Sequence, residues 1–313
     1  MKSKLRHLLA PLMLISAFIV GFSCPFLHVY NPLVPWFVRG MLFLVFLQLD
    51  WSKMRLRLSH FGILIANLAI PLLFYSIFYF FNQPGLALGA FFAGIAPTGT
   101  ACPALIAMLR LNVEYGVSAF VVTTLGVSLA IPLILPYLIP VELLPPDVAA
   151  SGLTALGLFL DISFRIFKSV VSIVFLPLGV ALLVRWFIPA ASTHIKVVYR
   201  WTSFTLWVMT ITVMISYVSF FVRSDRTISH TILAITAGTA VVICIVNFLT
   251  GYIIGPRGFK HESSQTLGQK NIMISFVLAQ IYVLDPLAAI VPLCYIVCHN
   301  SWNTCQMICL KDE

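Results

Sequence analysis

Two short polar stretches interrupt this apolar chain, and they carry the residues that could do chemistry. The first reads Ala-Pro-Thr-Gly-Thr-Ala-Cys-Pro at 96–103, and the second reads Ser-Gln-Thr-Leu-Gly-Gln-Lys-Asn at 264–271. Unwound backbone is tolerated at membrane depth only where it lines a protein cavity, so paired breaks of this kind predict a transporter binding site. Lys270 lies in the second break, and an ionisable side chain at that depth is expected to be functional. The alternative is that Lys270 extends its ammonium to cytoplasmic water.

The residue types in the two breaks are suited to holding a small organic anion. Helices that begin at a break present free N–H groups and the positive end of the helix dipole, and both attract negative charge. Hydroxyl and amide side chains add further hydrogen-bond donors. From the breaks themselves we expect these substrate contacts: Thr98, Gly99, Thr100, Ala101 and Asn271.

The elements that must position these residues are transmembrane helices. Of the 313 residues, 60% are hydrophobic and only 9% are charged, far below the share of charged residues that is typical of soluble proteins. Hydrophobic stretches of spanning length can be laid out ten times, which leaves almost nothing for a soluble domain. We therefore predict an all-α polytopic membrane protein with ten transmembrane helices, in which residues 1–313 form a single transporter domain.

The ten spans divide into two halves of five. The predicted halves are repeat one at 1–140 and repeat two at 165–313, joined by a connector at 141–164 that contains an amphipathic interfacial stretch. Because five is an odd number, the second half enters the membrane from the opposite side, so the repeats are inverted. Spans four and nine are the broken helices, and we expect them to cross near the middle of the membrane.

The net charge of +9 follows from membrane topology and does not require a nucleic-acid partner. Most of the 19 basic residues fall on segments that are cytoplasmic if the N-terminus is inside, so the positive-inside rule predicts both termini in the cytoplasm. We expect a multi-pass protein of a bacterial inner membrane. A cleaved signal peptide is the alternative for the first span. The seven cysteines form no C-x-x-C pair and are typical of packing residues.

Short motifs that match one known family are spread over about two-thirds of the chain. In chain order they are Pro97, Gly99, Thr100, Ala101, Thr124, Pro132, the Leu-Pro-Leu-Gly at 176–179, Gly268, Asn271, His299 and Asn300. With these residues the chain resembles the bile acid:sodium symporter family. The resemblance implies ten helices arranged as a panel domain and a core domain, with substrate and sodium held at the crossed broken helices and alternating access by movement of the core. It also implies that His299 and Asn300 face the substrate, although a packed histidine is the alternative for His299.

The sodium ligands of that family are changed in this chain. The family's Ser, Asn, Glu and Gln ligands of the two breaks correspond here to Cys102, Pro103, Thr266 and Lys270, and Ala66 stands where a third-span Gln is expected. Hard cations need several oxygen donors, and the only carboxylate of the set is gone. We therefore expect no cofactor and no sodium coupling, with the Lys270 ammonium replacing the ion. The alternative is a relocated sodium site at Thr124, Thr266 and Gln269.

These observations predict a secondary transporter of a small or amphipathic organic anion, embedded in the lipid bilayer and not an enzyme. A uniporter, an exchanger and a proton-linked carrier all remain compatible with a lysine in the site. Two other classes also remain open. One is a cation/proton antiporter-like exchanger that uses Lys270, and the other is a membrane sensor that binds its ligand without transport.

Overall fold

The computed structural model describes residues 2–192, 196–224 and 229–309, and within this part of the chain the protein is helical, without a sheet. Residues 225–228 and 310–313, whose charges enter the topology prediction, lie outside the described residues. The α-helices are α1 (Lys2–Ser23), α2 (Val34–Gln48), α3 (Leu58–Phe80), α4 (Pro84–Ile95), α5 (Cys102–Met108), α6 (Val113–Leu138), α7 (Pro146–Ala149), α8 (Ala155–Val170), α9 (Leu176–Phe187), α10 (Lys196–Ser224), α11 (His230–Ile254), α12 (Lys260–Gly268), α13 (Ile272–Tyr282) and α14 (Leu287–Cys309).

Six helical stretches among the described residues are long and apolar enough to cross a membrane. Two shorter apolar helices, α4 and α13, accompany them. Length and composition together indicate a multi-pass integral membrane protein. The six stretches are Pro25–Gln48, Leu58–Phe80, Val113–Leu138, Ala155–Phe187, Trp201–Ser224 and His230–Ile254.

The predicted connector ends earlier than expected, because α8 begins at Ala155. From there a helical stretch continues to Phe187 through a π-helical turn at Val171–Phe175. The hydroxyl of Thr154 accepts a hydrogen bond from the Gly157 N–H at 3.2 Å, which caps the start of α8. The last ten residues of the predicted connector therefore belong to this helix.

The chain divides into two compact units, and the first consists of Met1–Leu49 and Ser172–Ile232. Within it α1 packs on α10, and α2 packs on α9 and α10. Arg39 of α2 donates to the hydroxyl of Ser172 at 2.8 Å and to its carbonyl oxygen at 3.2 Å. The Arg39 guanidinium therefore binds the π-helical turn at Val171–Phe175.

The second unit consists of Asp50–Val171 and Leu233–Glu313, and it contains both breaks. Within it α4 packs against α3 and α14, and α12 packs against α3, α5 and α6. The approach of α4 to α14 is close at Gly89, where a Cβ atom would lie 2.5 Å from the Leu287 carbonyl oxygen. A side chain larger than hydrogen does not fit there, so glycine allows these helices to meet.

Candidate functional site

The two breaks lie side by side and are joined through their backbones. Thr98 and Lys270 form an isolated antiparallel bridge. The Gly99 N–H donates to the Gln269 carbonyl at 2.6 Å, and the Asn271 N–H donates to the Pro97 carbonyl at 2.7 Å. These bonds satisfy backbone groups that no helix pairs, so each break supplies the partner that the other lacks.

The second break is shorter than the sequence predicts. The polar run from Ser264 to Gly268 remains helical as the end of α12, and only Gln269, Lys270 and Asn271 leave the helix. A polar sequence inside an apolar protein therefore does not by itself mean unwound backbone. From Glu262 to Gly268 every residue of α12 is buried, which makes this short helix a polar element in an apolar interior.

Two buried threonines fix the first break against α6 and α12. The Thr98 hydroxyl donates to the Thr266 carbonyl at 2.6 Å, and the Thr98 N–H donates to the Thr123 hydroxyl at 3.2 Å. The two hydroxyls lie 2.8 Å apart. Thr98 is fully buried, and its hydroxyl and N–H hold the first break against α12 and α6.

Lys270 reaches across the bridge to α3. Its ammonium donates to the side-chain oxygen of Asn67, and the Asn67 amide in turn donates to the Ile95 carbonyl at 3.1 Å. The lysine is 3% exposed and the asparagine 1% exposed. Among the described residues no carboxylate forms an ion pair with this lysine, and the hydrogen bond that the structure gives its side-chain nitrogen is the one to the Asn67 oxygen.

One face of α14 contacts the second break. Tyr295, His299 and Asn303 follow one another at four-residue spacing and therefore share this face. The Tyr295 hydroxyl donates to the Gly268 carbonyl at 2.7 Å, and the Asn303 amide donates to the Gln269 side-chain oxygen at 2.5 Å. His299, 4% exposed, lies between them along the helix with its Nδ1 atom unpartnered.

The remaining predicted contacts have different surroundings. Thr100 is half-buried and Ala101 is exposed, so the first break opens to the surface at these two positions. Asn271 is 7% exposed, and the structure gives its side chain no hydrogen bond, although its N–H is used in the bridge. The Asn300 amide donates to the Ile296 carbonyl of its own helix at 2.7 Å.

The oxygens suggested for a relocated sodium site are partly engaged. The Thr266 hydroxyl donates to the Ser263 carbonyl at 2.9 Å, and the Gln269 oxygen accepts from Asn303. The Thr124 hydroxyl is buried without a partner. It is the preceding residue, Thr123, whose hydroxyl meets the first break. Among the described residues no group of three or more His, Cys, Asp or Glu side chains could hold a metal ion.

Sequence reasoning missed Thr123, Tyr295 and Asn303. The signal for the last two was their four-residue spacing on either side of His299, which places all three on one helical face. For Thr123 no such signal exists, because Thr123 and Thr124 differ only in which side of α6 they occupy.

No protein-family model matches this chain, and no curated protein matches it. The resemblance stated from the sequence therefore rests on its own motifs: those of the two breaks, Thr124, Pro132, the Leu-Pro-Leu-Gly at 176–179, and His299 and Asn300.

Proposed function

We propose that this protein is a secondary transporter of the bile acid:sodium symporter type that moves a small or amphipathic organic anion by alternating access without sodium coupling. In this proposal the chain has ten spans in two inverted repeats, with spans four and nine as crossed broken helices. The bridge between Thr98 and Lys270 supports the pairing of these two spans. The division into two compact units supports a panel built from spans one, two, six and seven and a core built from the others.

The observation that carries the proposal is the burial of Lys270 in the second break without a carboxylate partner among the described residues. Moving an ammonium out of water costs several kcal/mol even after the protein relaxes. Asn67 offers one hydrogen bond to the ammonium but no charge, and no described carboxylate pairs with it. An anionic substrate bound at the breaks would supply the missing negative charge, and the structure's open positions at Thr100 and Ala101 give it access to the first break.

The same lysine supports the absence of sodium coupling. In the proposal the Lys270 side chain is protonated and donates to Asn67, whose amide donates to the Ile95 carbonyl. A sodium ion bound beside Asn67 would be repelled by this positive charge. The Thr266 position, where the family has a carboxylate, offers only a hydroxyl that is bonded to Ser263.

A transport assay tests the proposal. The purified protein is reconstituted into liposomes, and uptake of cholate, an amphipathic carboxylate, and of benzoate, a small one, is measured in sodium and in choline buffers. We expect uptake of an organic anion that is equal in the two buffers. Lys270→Met should abolish it. Lys260→Met is the matched control, since Lys260 lies on the adjoining α12 but is exposed, with its ammonium 5.0 Å from the Tyr252 ring centroid.

Each alternative gives a different result in this assay. Uptake that requires sodium would contradict the uncoupled mechanism and favour the site at Thr124, Thr266 and Gln269. Cation or proton flux without anion flux would identify an exchanger that uses Lys270. Anion binding without flux, read as a thermal shift of the purified protein, would identify a sensor.

A further inference from the structure

A cavity of about 320 Å³ lies where α7, α8 and the end of α13 meet. Asp147 of α7 and Arg165, Lys168 and Ser169 of α8 line it, together with Tyr282, the last residue of α13. The second break adjoins the other end of α13, so the cavity is separate from the site described above. It contains charged groups of both signs and two hydroxyl groups.

Lys168 provides the positive charge that is available to a ligand. Its ammonium lies 5.5 Å from the centroid of the Phe164 ring, and among the described residues no carboxylate forms an ion pair with it. Arg165, by contrast, is held by two carboxylates. Its Nε atom donates to Asp161 at 2.8 Å, and its Nη1 atom donates to Asp147 at 3.2 Å.

Ser169 and Tyr282 add a hydrogen-bond donor to the cavity. Their hydroxyl oxygens lie 2.7 Å apart, and either hydroxyl can be the donor. Two hydroxyls carry two hydrogens and this bond uses one of them, so the other can be donated to a ligand oxygen. An ammonium and a hydroxyl in one cavity suit a phosphate group, because charge-assisted hydrogen bonds to phosphate are stronger than neutral ones.

Asp147 supplies the opposite charge. One of its carboxylate oxygens accepts from Arg165, and its side chain is still 68% exposed. Its second oxygen has no hydrogen-bond donor among the described residues, so it can accept from a ligand. A ligand that carries both a phosphate and an ammonium therefore fits better than a simple anion, because Lys168 and Asp147 would each meet a group of opposite charge.

The surroundings of the cavity are those of a boundary between lipid and water. α8 is amphipathic, and helical spacing places Arg165 and Lys168 on the flank between an exposed apolar face and a buried one. Tyr137, in the last turn of α6, is 75% exposed, and its ring centroid lies 4.3 Å from that of Phe159. Exposed tyrosines at the ends of apolar helices are typical of the headgroup level of a bilayer. The exposed face of α8 consists of Leu156, Leu160, Phe164 and Phe167, and the buried face consists of Ile162, Ile166 and Val170.

We propose that this cavity binds the headgroup of a zwitterionic phospholipid of the phosphatidylethanolamine class. The phosphate accepts from the Lys168 ammonium and from the remaining hydroxyl hydrogen, and the ammonium of the headgroup binds Asp147. The acyl chains lie along the exposed apolar face of α8. The bound lipid thereby links α7, α8 and α13 within the second compact unit, and it does so whichever substrate the protein carries.

Native mass spectrometry of the full-length protein tests the lipid site. Delipidated protein in detergent is titrated with phosphatidylethanolamine or with phosphatidylglycerol of the same acyl chains, and the retained lipid is counted. Phosphatidylglycerol has the phosphate but no ammonium. We expect the wild-type protein to retain a single phosphatidylethanolamine in preference to phosphatidylglycerol. Equal or weaker retention of phosphatidylethanolamine would overturn the proposal.

Variants locate the lipid. Lys168→Met should weaken binding of both lipids by about tenfold, the loss expected for one hydrogen bond between charged groups. Asp147→Asn should weaken binding of phosphatidylethanolamine alone. Lys260→Met is the matched control, because Lys260 is also exposed and lies 5.0 Å from the Tyr252 ring centroid but does not line the cavity. Unchanged affinity in both cavity variants would contradict the assignment, and the wild-type comparison of the two lipids decides without them.

Glycerophosphoethanolamine distinguishes a membrane lipid from a soluble ligand. It carries the same phosphate and ammonium without acyl chains, so the apolar face of α8 contributes nothing to its binding. We expect that it does not displace phosphatidylethanolamine when the two are present at equal concentration. Displacement under these conditions would show a site for a soluble phosphodiester and would overturn the assignment to a lipid.

Discussion

A double-mutant cycle on Asn67 and Lys270 tests whether the interior lysine is held as a charged group. Asn67→Leu keeps the volume of the side chain but removes the oxygen that accepts from the ammonium and the amide that donates to Ile95. Both residues are almost fully buried, so water does not replace these bonds at low cost.

The magnitude follows from the two lost hydrogen bonds. A hydrogen bond to a charged group is worth about 1.5–3 kcal/mol, and a neutral one to a carbonyl about 1 kcal/mol. We therefore expect Asn67→Leu to lower the free energy of unfolding by about 2.5–4 kcal/mol, because the variant removes both hydrogen bonds and leaves the Lys270 side chain without the partner that the described structure gives it. Lys270→Met alone removes the buried charge and strands only the Asn67 oxygen, with an expected loss of about 1–2 kcal/mol.

The double variant is the decisive measurement. When both partners are apolar, the buried ammonium and the stranded oxygen are gone, and only the Ile95 carbonyl lacks its donor. We expect the double variant to be more stable than Asn67→Leu, with a coupling energy of about 1.5–3 kcal/mol between the two sites. Unfolding in mixed detergent micelles with increasing dodecyl sulfate measures all four proteins. A coupling energy near zero would show that the lysine does not depend on Asn67, and would refute the reasoning that makes it a buried cation.

Three further predictions concern the breaks and the helix contacts. Thr98→Val should lower the free energy of unfolding by about 1–2 kcal/mol because it leaves the Thr266 carbonyl without its donor, whereas Thr124→Val removes a hydroxyl that has no partner and should be neutral or stabilising. Equal losses of stability in the two variants would contradict the role of Thr98 in holding the first break. Gly89→Ala should destabilise the protein by about 1–3 kcal/mol, because its Cβ would meet the Leu287 carbonyl, whereas Gly179→Ala, with open space around it, should stabilise the protein by about 0.5–1 kcal/mol. If the melting temperatures of the two variants move in the same direction, helices α4 and α14 are not closely packed at Gly89. The thermal shift produced by a bound anion should be equal in sodium and choline buffers, and a shift seen only in sodium would contradict the absence of coupling.

The sequence could predict the first break and the membrane helices, because both follow from the types of residue within a short stretch of chain. Pro97, Gly99 and Pro103 mark the first break, because proline lacks an N–H and glycine resists helix formation. Long apolar stretches mark the membrane helices in the same direct way. The predicted range of the second break was too long. Ser264, Gln265 and Thr266 are polar and were therefore expected to leave the helix, yet tertiary contacts hold them in α12.

The partners inside the site could not be read from sequence. Whether Thr123 or Thr124 faces the first break depends on a rotation of one residue about α6, which an apolar helix buried on several sides does not specify. Asn67 lies far from Lys270 in the chain, and only the packing of α3 against the second break brings their side chains together. Such contacts depend on the rotation of each helix about its axis and on the register between helices. Composition and residue spacing do not specify either of these.

A tethered ammonium has a different physical consequence from a bound sodium ion. A sodium ion adds its charge only when it binds, so the electrostatics of a sodium site change with the ion gradient and can drive transport. The Lys270 charge cannot dissociate from the protein, so in the proposed function it favours the anion on both sides of the membrane and contributes no driving force while it stays protonated. Only a change in its protonation can make the site's affinity differ between the two sides, because equal affinity in two states shifts no equilibrium. Under the proposed function, a lysine that stays protonated therefore lets the anion equilibrate across the membrane but does not concentrate it on one side.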